Sequence, residues 1–372
     1  MLVAADKFKG SLTAVEVAEH VAAGIRRVHP EARVETLPVA DGGDGTVAAA
    51  VAAGFTRHEL TVTGPLGAPV AAAFALREKT AIVEMAEASG LRHLPEGVYA
   101  PLTATTHGTG ELLVAALDAG ASTIVLGVGG SATVDGGVGM LQALGAHFLD
   151  EDGDPVPHGG APLRETATAD LSGLDPRLKD VEIVLAGDVD NPLLGEQGAP
   201  AVYGPQKGAA AEDVAVLDAS LTHLVEVLGA SEGERAAENA RAPGAGAAGG
   251  AGYGALMGLG ATFRPGIEVL LEVLGFEEAL ARADLVVTGE GSLDEQTLRG
   301  KAPAGVAAAA RRSEKPVVAV CGRLKLGKGA LKRAGITQVY PLTDFESDPE
   351  RCVSKAGALL EQAAEKLARE QL

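Results

Sequence analysis

The sequence predicts an α/β protein. A parallel sheet is assembled from the two ends of the chain, and a second, distinct α/β domain is inserted between them. Three observations carry this. Short apolar runs alternate with helix-periodic stretches at both ends. The middle of the chain changes to short alternating strands punctuated by Gly and Pro. Loops rich in glycine and acids follow the apolar runs, where an open parallel sheet gathers its ligand. The division drawn from these textures is residues 1–63 with 284–372 for the first domain and 64–283 for the insert.

Taken in order, LVAAD (residues 2–6) is a buried strand ending in an acid. Residues 13–28 place Val15, Val17, Ala18, Val21, Ile25 and Val28 at helical steps, and Thr13 with Glu16 forms a capping-box pattern. A strand at ARVETLPVA, a loop DGGDGT and a helix TVAAAVAAG follow. From Thr56 to Met85, HELTVTG, VAAAFAL and TAIVEM read as antiparallel strands. HGTGELLVAALDAG starts a helix, STIVLGVGG is a strand feeding a glycine turn, and DGGVGMLQALG is another helix. AHFLDEDGDPVPHG reads as a hairpin with an acidic turn, and VEIVLAGDVDN as a strand ending in two acids. Residues 209–242 read as polar and helical. The glycines of PGAGAAGGAGYGALMGLGA would each cost an ordinary helix roughly 1 kcal/mol, so they signal close backbone approach. DLVVTGEGSLDEQT repeats the strand-then-acid pattern. A helix near 302–312, strands PVVAVCG and QVYPL, and a helix from about Pro349 complete the chain.

Composition excludes several function classes. The chain has 372 residues with 31 basic and 50 acidic side chains, a formal charge of −19. Such a chain repels phosphate backbones and anionic lipid, which argues against nucleic-acid and membrane partners. The apolar run before Asp6 is too short for a signal peptide, and no stretch is expected to reach the roughly 18 apolar residues of a membrane span. Two cysteines, Cys321 and Cys352, cannot build a disulfide framework, so a reducing cytoplasm is the expected compartment. The oligomeric state is left open, a homo-oligomer being compatible.

Chemistry concentrates in five strand-end loops: 6–11, 41–46, 129–137, 188–191 and 289–294. Glycines let backbone N–H groups approach an anion, and helix N-termini add a favourable dipole. Acids in the same loops would repel bare phosphate unless Mg²⁺ lies between. Acids, glycine-rich helix starts and lysines together are the kit of metal-assisted phosphoryl transfer. Competing motifs are weaker. Gly322–Gly329 nearly spells a phosphate loop but ends in Gly329, without the hydroxyl that would hold Mg²⁺. Gly127-x-Gly129-x-x-Ala132 with Asp150 resembles a dinucleotide fingerprint and keeps an NAD-dependent oxidoreductase as an alternative. The Asp150–Asp154 triplet reads as a solvated turn, since Ala161 stands where a calcium loop needs Glu. His107, ahead of a helix, reads as structural or cleft-lining.

The strings FKGSL, PVADGGDGT, GVGGSATVDGG, DVDNPL, YGPQKGA, PGAGAAGG, RPGIE and TGEG..D.QTLRGKAP occur in this order along nearly the whole chain. Together they resemble the bacterial glycerate kinase family, of the glycerate 2-kinase type. The resemblance implies transfer of the ATP γ-phosphate to D-glycerate, giving 2-phosphoglycerate. It also implies the glycerate kinase I fold: a flavodoxin-like (Rossmann-like) domain from both chain ends, an inserted α/β domain, and an active site in the cleft between them. A kinase of another small hydroxy acid and a non-catalytic anion binder are the further alternatives. Lys7, Val134 and Ser292 depart from the family's usual strings, the last where an arginine is frequent.

Within that reading the chemistry distributes roles. The substrate carboxylate needs a cation, Lys9 or Lys207, with Asp6 and Ser11 nearby in the first loop. The polyphosphate needs backbone N–H groups, at Gly129, Gly130 and Ser131 or at Gly246, Gly249 and Gly250. Mg²⁺ needs carboxylates, at Asp41, Asp44 or Glu290. The attacking hydroxyl needs a proton acceptor, with Asp190 and Asp294 leading and Asp188 behind them. Lys301 is placed to neutralise the transferring phosphoryl group.

Overall fold

A computed structural model describes residues 1–372 and every side chain but that of Arg299. Its strands, in chain order, are β1 (Leu2–Ala5), β2 (Glu35–Thr36), β3 (Thr56–Thr63), β4 (Pro69–Arg77), β5 (Thr80–Glu84), β6 (Thr123–Gly127), β7 (His147–Leu149), β8 (Thr168–Asp170), β9 (Glu182–Gly187), β10 (Thr262–Pro265), β11 (Val286–Leu293), β12 (Val317–Leu324) and β13 (Ile336–Pro341). The chain divides into two compact units. Unit one is Met1–Asp41, Ala48–Gly54 and Pro265–Leu372; unit two is Gly42–Val47 and Phe55–Arg264.

Unit one is built on a five-stranded sheet in the order β13-β12-β11-β1-β2. Every pair in it is parallel. Counted within the unit, that order is 2-1-3-4-5, the flavodoxin-like arrangement, and its switch point lies between β1 and β11. The strands are apolar runs because both faces are covered: Val3, Val287 and Val318 on one face and Leu2, Ala4 and Val286 on the other are wholly buried. One cover is the helix Ala14–Val28, whose N-terminus carries the expected capping box. The Glu16 N–H donates to the Thr13 hydroxyl at 3.2 Å, and Glu16 Oε2 accepts from the Thr13 N–H at 2.8 Å. This helix lies against the C-terminal helix Ala356–Gln371, which supplies Leu360, Ala364 and Leu367 to the core. A Cβ on Gly24 would stand 2.3 Å from the Glu361 carbonyl, so glycine sets how closely the two approach. Each fully buried aliphatic side chain here contributes about 1.5–3 kcal/mol.

Unit two holds a six-stranded mixed sheet in the order β10-β9-β6-β5-β4-β3. β3, β4 and β5 are antiparallel neighbours, whereas β5, β6 and β9 run parallel. The expected antiparallel texture of residues 56–85 therefore forms, but β3 belongs here and not with the first domain. The other expected boundary, 283/284, falls inside unit one, because the helix Gly266–Val273 packs on the helix Ala302–Arg312. There Ile267 fills the place of a Cβ on Gly305.

Several elements differ locally from expectation. ARVETLPVA has only two ladder residues, yet Leu37 and Val39 still donate to Val3 and Ala5 and carry the chain along β1. The acidic turn after β7 forms, with Asp150 Oδ1 accepting from the N–H groups of Asp152 and Asp154. The main partner of β7, however, is β8. The stretch 209–242 is two helices, Ala211–Glu232 and Glu234–Arg241, broken at Gly233 with φ 65°. Among the described residues, Ala211–Glu232 is one helix long and apolar enough to cross a membrane, where none was expected. Counting unbroken apolar runs overlooks a helix whose interruptions are small and mostly uncharged. Its Leu217, Leu221, Leu224 and Leu228 are buried in the core of unit two.

Candidate active site

In unit one the acids gather at the switch point. Asp6 follows β1 directly, and its N–H donates to the Gly289 carbonyl of β11, one residue before Glu290. Asp41 follows the segment that runs on along β1. Burial pushes the Asp6 carboxyl up to about 7, with the charges of Asp41 and then Glu290 adding and Lys7 opposing. The Lys7 N–H donates to Asp6 Oδ1 at 2.6 Å. The Glu290 carboxyl is also raised, first by burial and then by Asp41 and Asp294, against a hydrogen bond from the Thr297 hydroxyl and the charge of Lys301. Asp294 accepts from the Gln296 N–H at 3.0 Å and lies 3.7 Å from the Lys325 ammonium. Lys301 stands at the N-cap of the helix Ala302–Arg312. Lys9 is exposed, and the Ser11 hydroxyl donates to the Phe8 carbonyl at 3.0 Å. Gly291 lets this first loop lie across β11, since a Cβ there would meet the Lys9 nitrogen at 3.3 Å.

Unit two brings three loops together. The turn after β6 is stitched to Gly42–Val47: the Gly129 N–H donates to the Gly42 carbonyl at 3.0 Å, and a Cβ on Gly130 would fall 2.4 Å from Asp44 Oδ1. Asp44 therefore lies against the Gly129–Ser131 turn. A Cβ on Gly127 or Gly129 would collide with Gly42 or Gly43, so close packing by itself demands the glycines of that fingerprint-like string. The same holds for the third loop. Ala248, Gly249 and Gly250 are all left-handed, with φ 54°, 70° and 90°. A Cβ on Gly249 would sit 1.9 Å from the Thr133 carbonyl, and one on Gly250 would sit 2.8 Å from Gly136. The Gly246 N–H donates to the Asn191 carbonyl at 2.9 Å. Of the N–H groups expected to face phosphate, those of Gly129 and Gly246 are thus committed to the protein.

Asp188 and Asp190 are exposed beyond the end of β9. Burial and then their charges push the Tyr203 phenol up to about 12, and the Tyr203 hydroxyl donates to Asn191 Oδ1 at 2.5 Å. Lys207 is buried at 2 % exposure and donates to the Ser131 hydroxyl and the Thr133 carbonyl, each at 2.7 Å. Burial pulls its ammonium down to about 7, opposed by the charge of Asp135.

Two buried acids that fasten these loops were given no role in the sequence reading. Asp135 takes N–H groups from Thr106, Gly137 and Gly139 and the Thr106 hydroxyl. Burial raises its carboxyl. Glu84, at the end of β5, takes the N–H groups of Gly45 and Val47 at 3.2 and 3.0 Å and faces Arg92 at 3.6 Å. The rule that flagged Asp6, an acid closing an apolar run, would have flagged Glu84 in TAIVE. His107 stacks on His158 with ring centroids 4.7 Å apart, beside Glu111.

The weaker motifs resolve structurally. β12 runs through Gly322 to Leu324, where a phosphate loop would have to leave the sheet. Among the described residues, no group of three or more His, Cys, Asp or Glu side chains is arranged to hold a metal ion unaided.

Comparison with known proteins places these features in a family. The glycerate kinase family model matches residues 1–371. A glycerate kinase of Halalkalibacterium halodurans is 45% identical over 371 residues, which is 99% of this chain and 97% of that protein. The glycerate 2-kinase of Escherichia coli K12 is 45% identical over 344 residues, 91% of this chain and 89% of that one. The crystal structure assigned as glycerate kinase 2 of Salmonella typhimurium LT2 superposes with a TM-score of 0.84 at 42% identity, covering 99% and 97% of the two chains. The chain belongs to the glycerate kinase family.

Proposed function

We infer that the protein transfers the γ-phosphoryl group of ATP to the 2-hydroxyl of D-glycerate with the help of Mg²⁺. The observation that carries this reading is the cluster of Asp6, Asp41 and Glu290 at the switch point of the parallel sheet. Burial, with the charges of neighbouring acids, raises the Asp6 and Glu290 carboxyls above the usual carboxylate range. Such a cluster gains from a divalent cation. Mg²⁺ typically takes one or two protein carboxylates and completes its shell with water and phosphate oxygens, so a full protein cage is not required. Asp41 and Glu290 would hold it, with Asp44 as the further candidate in unit two. When bound, the metal neutralises charge on the phosphoryl group.

The chain's own groups do the rest. The glycerate hydroxyl oxygen forms a bond to the γ-phosphorus as the bond to the β–γ bridging oxygen breaks. The hydroxyl proton passes to Asp294 or Asp190. Lys301, at a helix start, offsets negative charge on the moving group, and exposed Lys9 offers a cation to the glycerate carboxylate. Gly130 and Ser131 present backbone N–H groups to the nucleotide. The test is ADP release with a panel of small hydroxy acids at saturating Mg·ATP. Release dependent on D-glycerate, and much weaker with other acids, supports the reading. Release with another acid alone would reassign the substrate, and stabilisation by NAD(H) in place of Mg·ATP would favour an oxidoreductase.

A further inference from the structure

Lys207 presents a geometry that substrate binding does not explain. The short turn Pro205–Lys207 carries it inward, and Gly208, left-handed at φ 87°, closes that turn. Its ammonium has three N–H bonds. Two are spent at 2.7 Å on the Ser131 hydroxyl and the Thr133 carbonyl, on either side of Ala132. At 2 % exposure little of the residue is left for a soluble carboxylate to reach. The loop it grips is pinned elsewhere by backbone: the Gly129 N–H by Gly42, the Gly130 carbonyl by the Leu91 N–H, and the Ala132 N–H by Ser89. Beyond Thr133, Asp135 fastens the loop to Thr106, Gly137 and Gly139. Between these anchors the Ser131 side chain and the Thr133 carbonyl depend on Lys207. Without it, a buried hydroxyl and a buried carbonyl would lose their partner, and the turn would relax to find others.

We propose that Lys207 is a positioning residue that holds the Gly129–Thr133 turn in the shape that receives the nucleotide, and that it makes no contact with the glycerate carboxylate. This rests on the reading of Gly130 and Ser131 as nucleotide-binding. The two substrates separate the roles kinetically. Lys207→Met keeps the side-chain length and removes both hydrogen bonds. It is expected to raise KM for ATP about tenfold, as loss of a buried charge-assisted contact does, with KM for glycerate within about twofold of wild type. Ser131→Ala removes one of the two contacts and a single oxygen, so it decides the matter if Lys207→Met does not fold. Its effect is smaller and in the same direction, and it adds nothing on top of Lys207→Met. A rise in KM for glycerate alone would overturn the proposal and restore Lys207 to the substrate. Unchanged KM values with a lowered melting temperature would overturn it as well, leaving a purely structural lysine. Gly130→Ala is the control for the underlying reading. If it raises KM for ATP while the folded Lys207 and Ser131 variants do not, the positioning role fails. If none of the three moves KM for ATP, the nucleotide assignment of the turn itself fails.

Discussion

Replacing Glu84 by glutamine isolates the cost of a buried charge that holds a functional loop. The carboxyl is 0 % exposed, and burial pushes it from 4.5 up to about 7 against the N–H groups of Val47 and Gly45 and the charge of Arg92. The folded protein therefore keeps a proton on Glu84 that the unfolded chain has released. The stability this represents is complete below pH 4.5 and is lost as pH rises through 7. The full span, about 2.5 pH units at ~1.4 kcal/mol each, amounts to ~3 kcal/mol. Glutamine is neutral throughout, and its side-chain carbonyl can accept both N–H groups that Oε2 accepts now. Between pH 5.5 and 8 about 1.5 of those units are traversed. Glu84→Gln should therefore gain ~2 kcal/mol on wild type over that range. Urea unfolding followed by circular dichroism at both pH values measures it. Other titrating groups act equally in the two proteins, so only the difference between the curves matters. Parallel pH dependence in wild type and variant would refute the argument.

Three further outcomes follow from the same geometry. Gly249→Ala puts a Cβ 1.9 Å from the Thr133 carbonyl at φ 70°, whereas Gly54→Ala at φ 90° meets nothing within 4 Å. The second should cost only the left-handed strain of ~1 kcal/mol, the first several times that, and equal melting temperatures would contradict the packing account. Mg²⁺ should raise the melting temperature more at pH 8 than at pH 5.5, because protons compete for the raised carboxyls of Asp6 and Glu290 as pH falls. Asp6→Asn should flatten that dependence. Alanine at whichever of Asp190 and Asp294 is the base should lower kcat at least ~100-fold, and wild-type turnover in both variants removes the assignment.

What was legible in the sequence is instructive in detail. The acid closing an apolar run marked Asp6 correctly as a strand-end residue, because a parallel strand is apolar until it leaves the sheet. Glu290, expected in a strand-end loop, instead lies within β11, which runs on to Leu293 in its ladder with β12 and passes the end of β1 at Gly289. The discontinuous sheet was legible for the same reason. The boundary at 63 was not, since HELTVTG alternates like any edge strand and only its ladder with β4 assigns it to unit two. Glycine was the ambiguous signal. Gly127, Gly129, Gly246, Gly249 and Gly250 look like open backbone awaiting phosphate, yet in the fold each faces other backbone at less than 3 Å from a would-be Cβ. A single sequence cannot separate these demands, because both select the absence of a side chain. Glu84 escaped, and Lys207 was read only as a cation for the substrate carboxylate, for a related reason. Their partners are backbone groups and a hydroxyl 37 to 76 residues away, contacts that leave no local pattern.

The central claim is that these strand-end acids serve phosphoryl transfer from ATP to the 2-hydroxyl of glycerate. Phosphorus NMR of the mixture formed from the protein, Mg·ATP and D-glycerate tests it most directly. The account predicts a new phosphomonoester resonance that matches authentic 2-phosphoglycerate and grows in step with ADP. A resonance matching 3-phosphoglycerate would contradict the assigned position, and inorganic phosphate with no new ester would contradict the transfer itself.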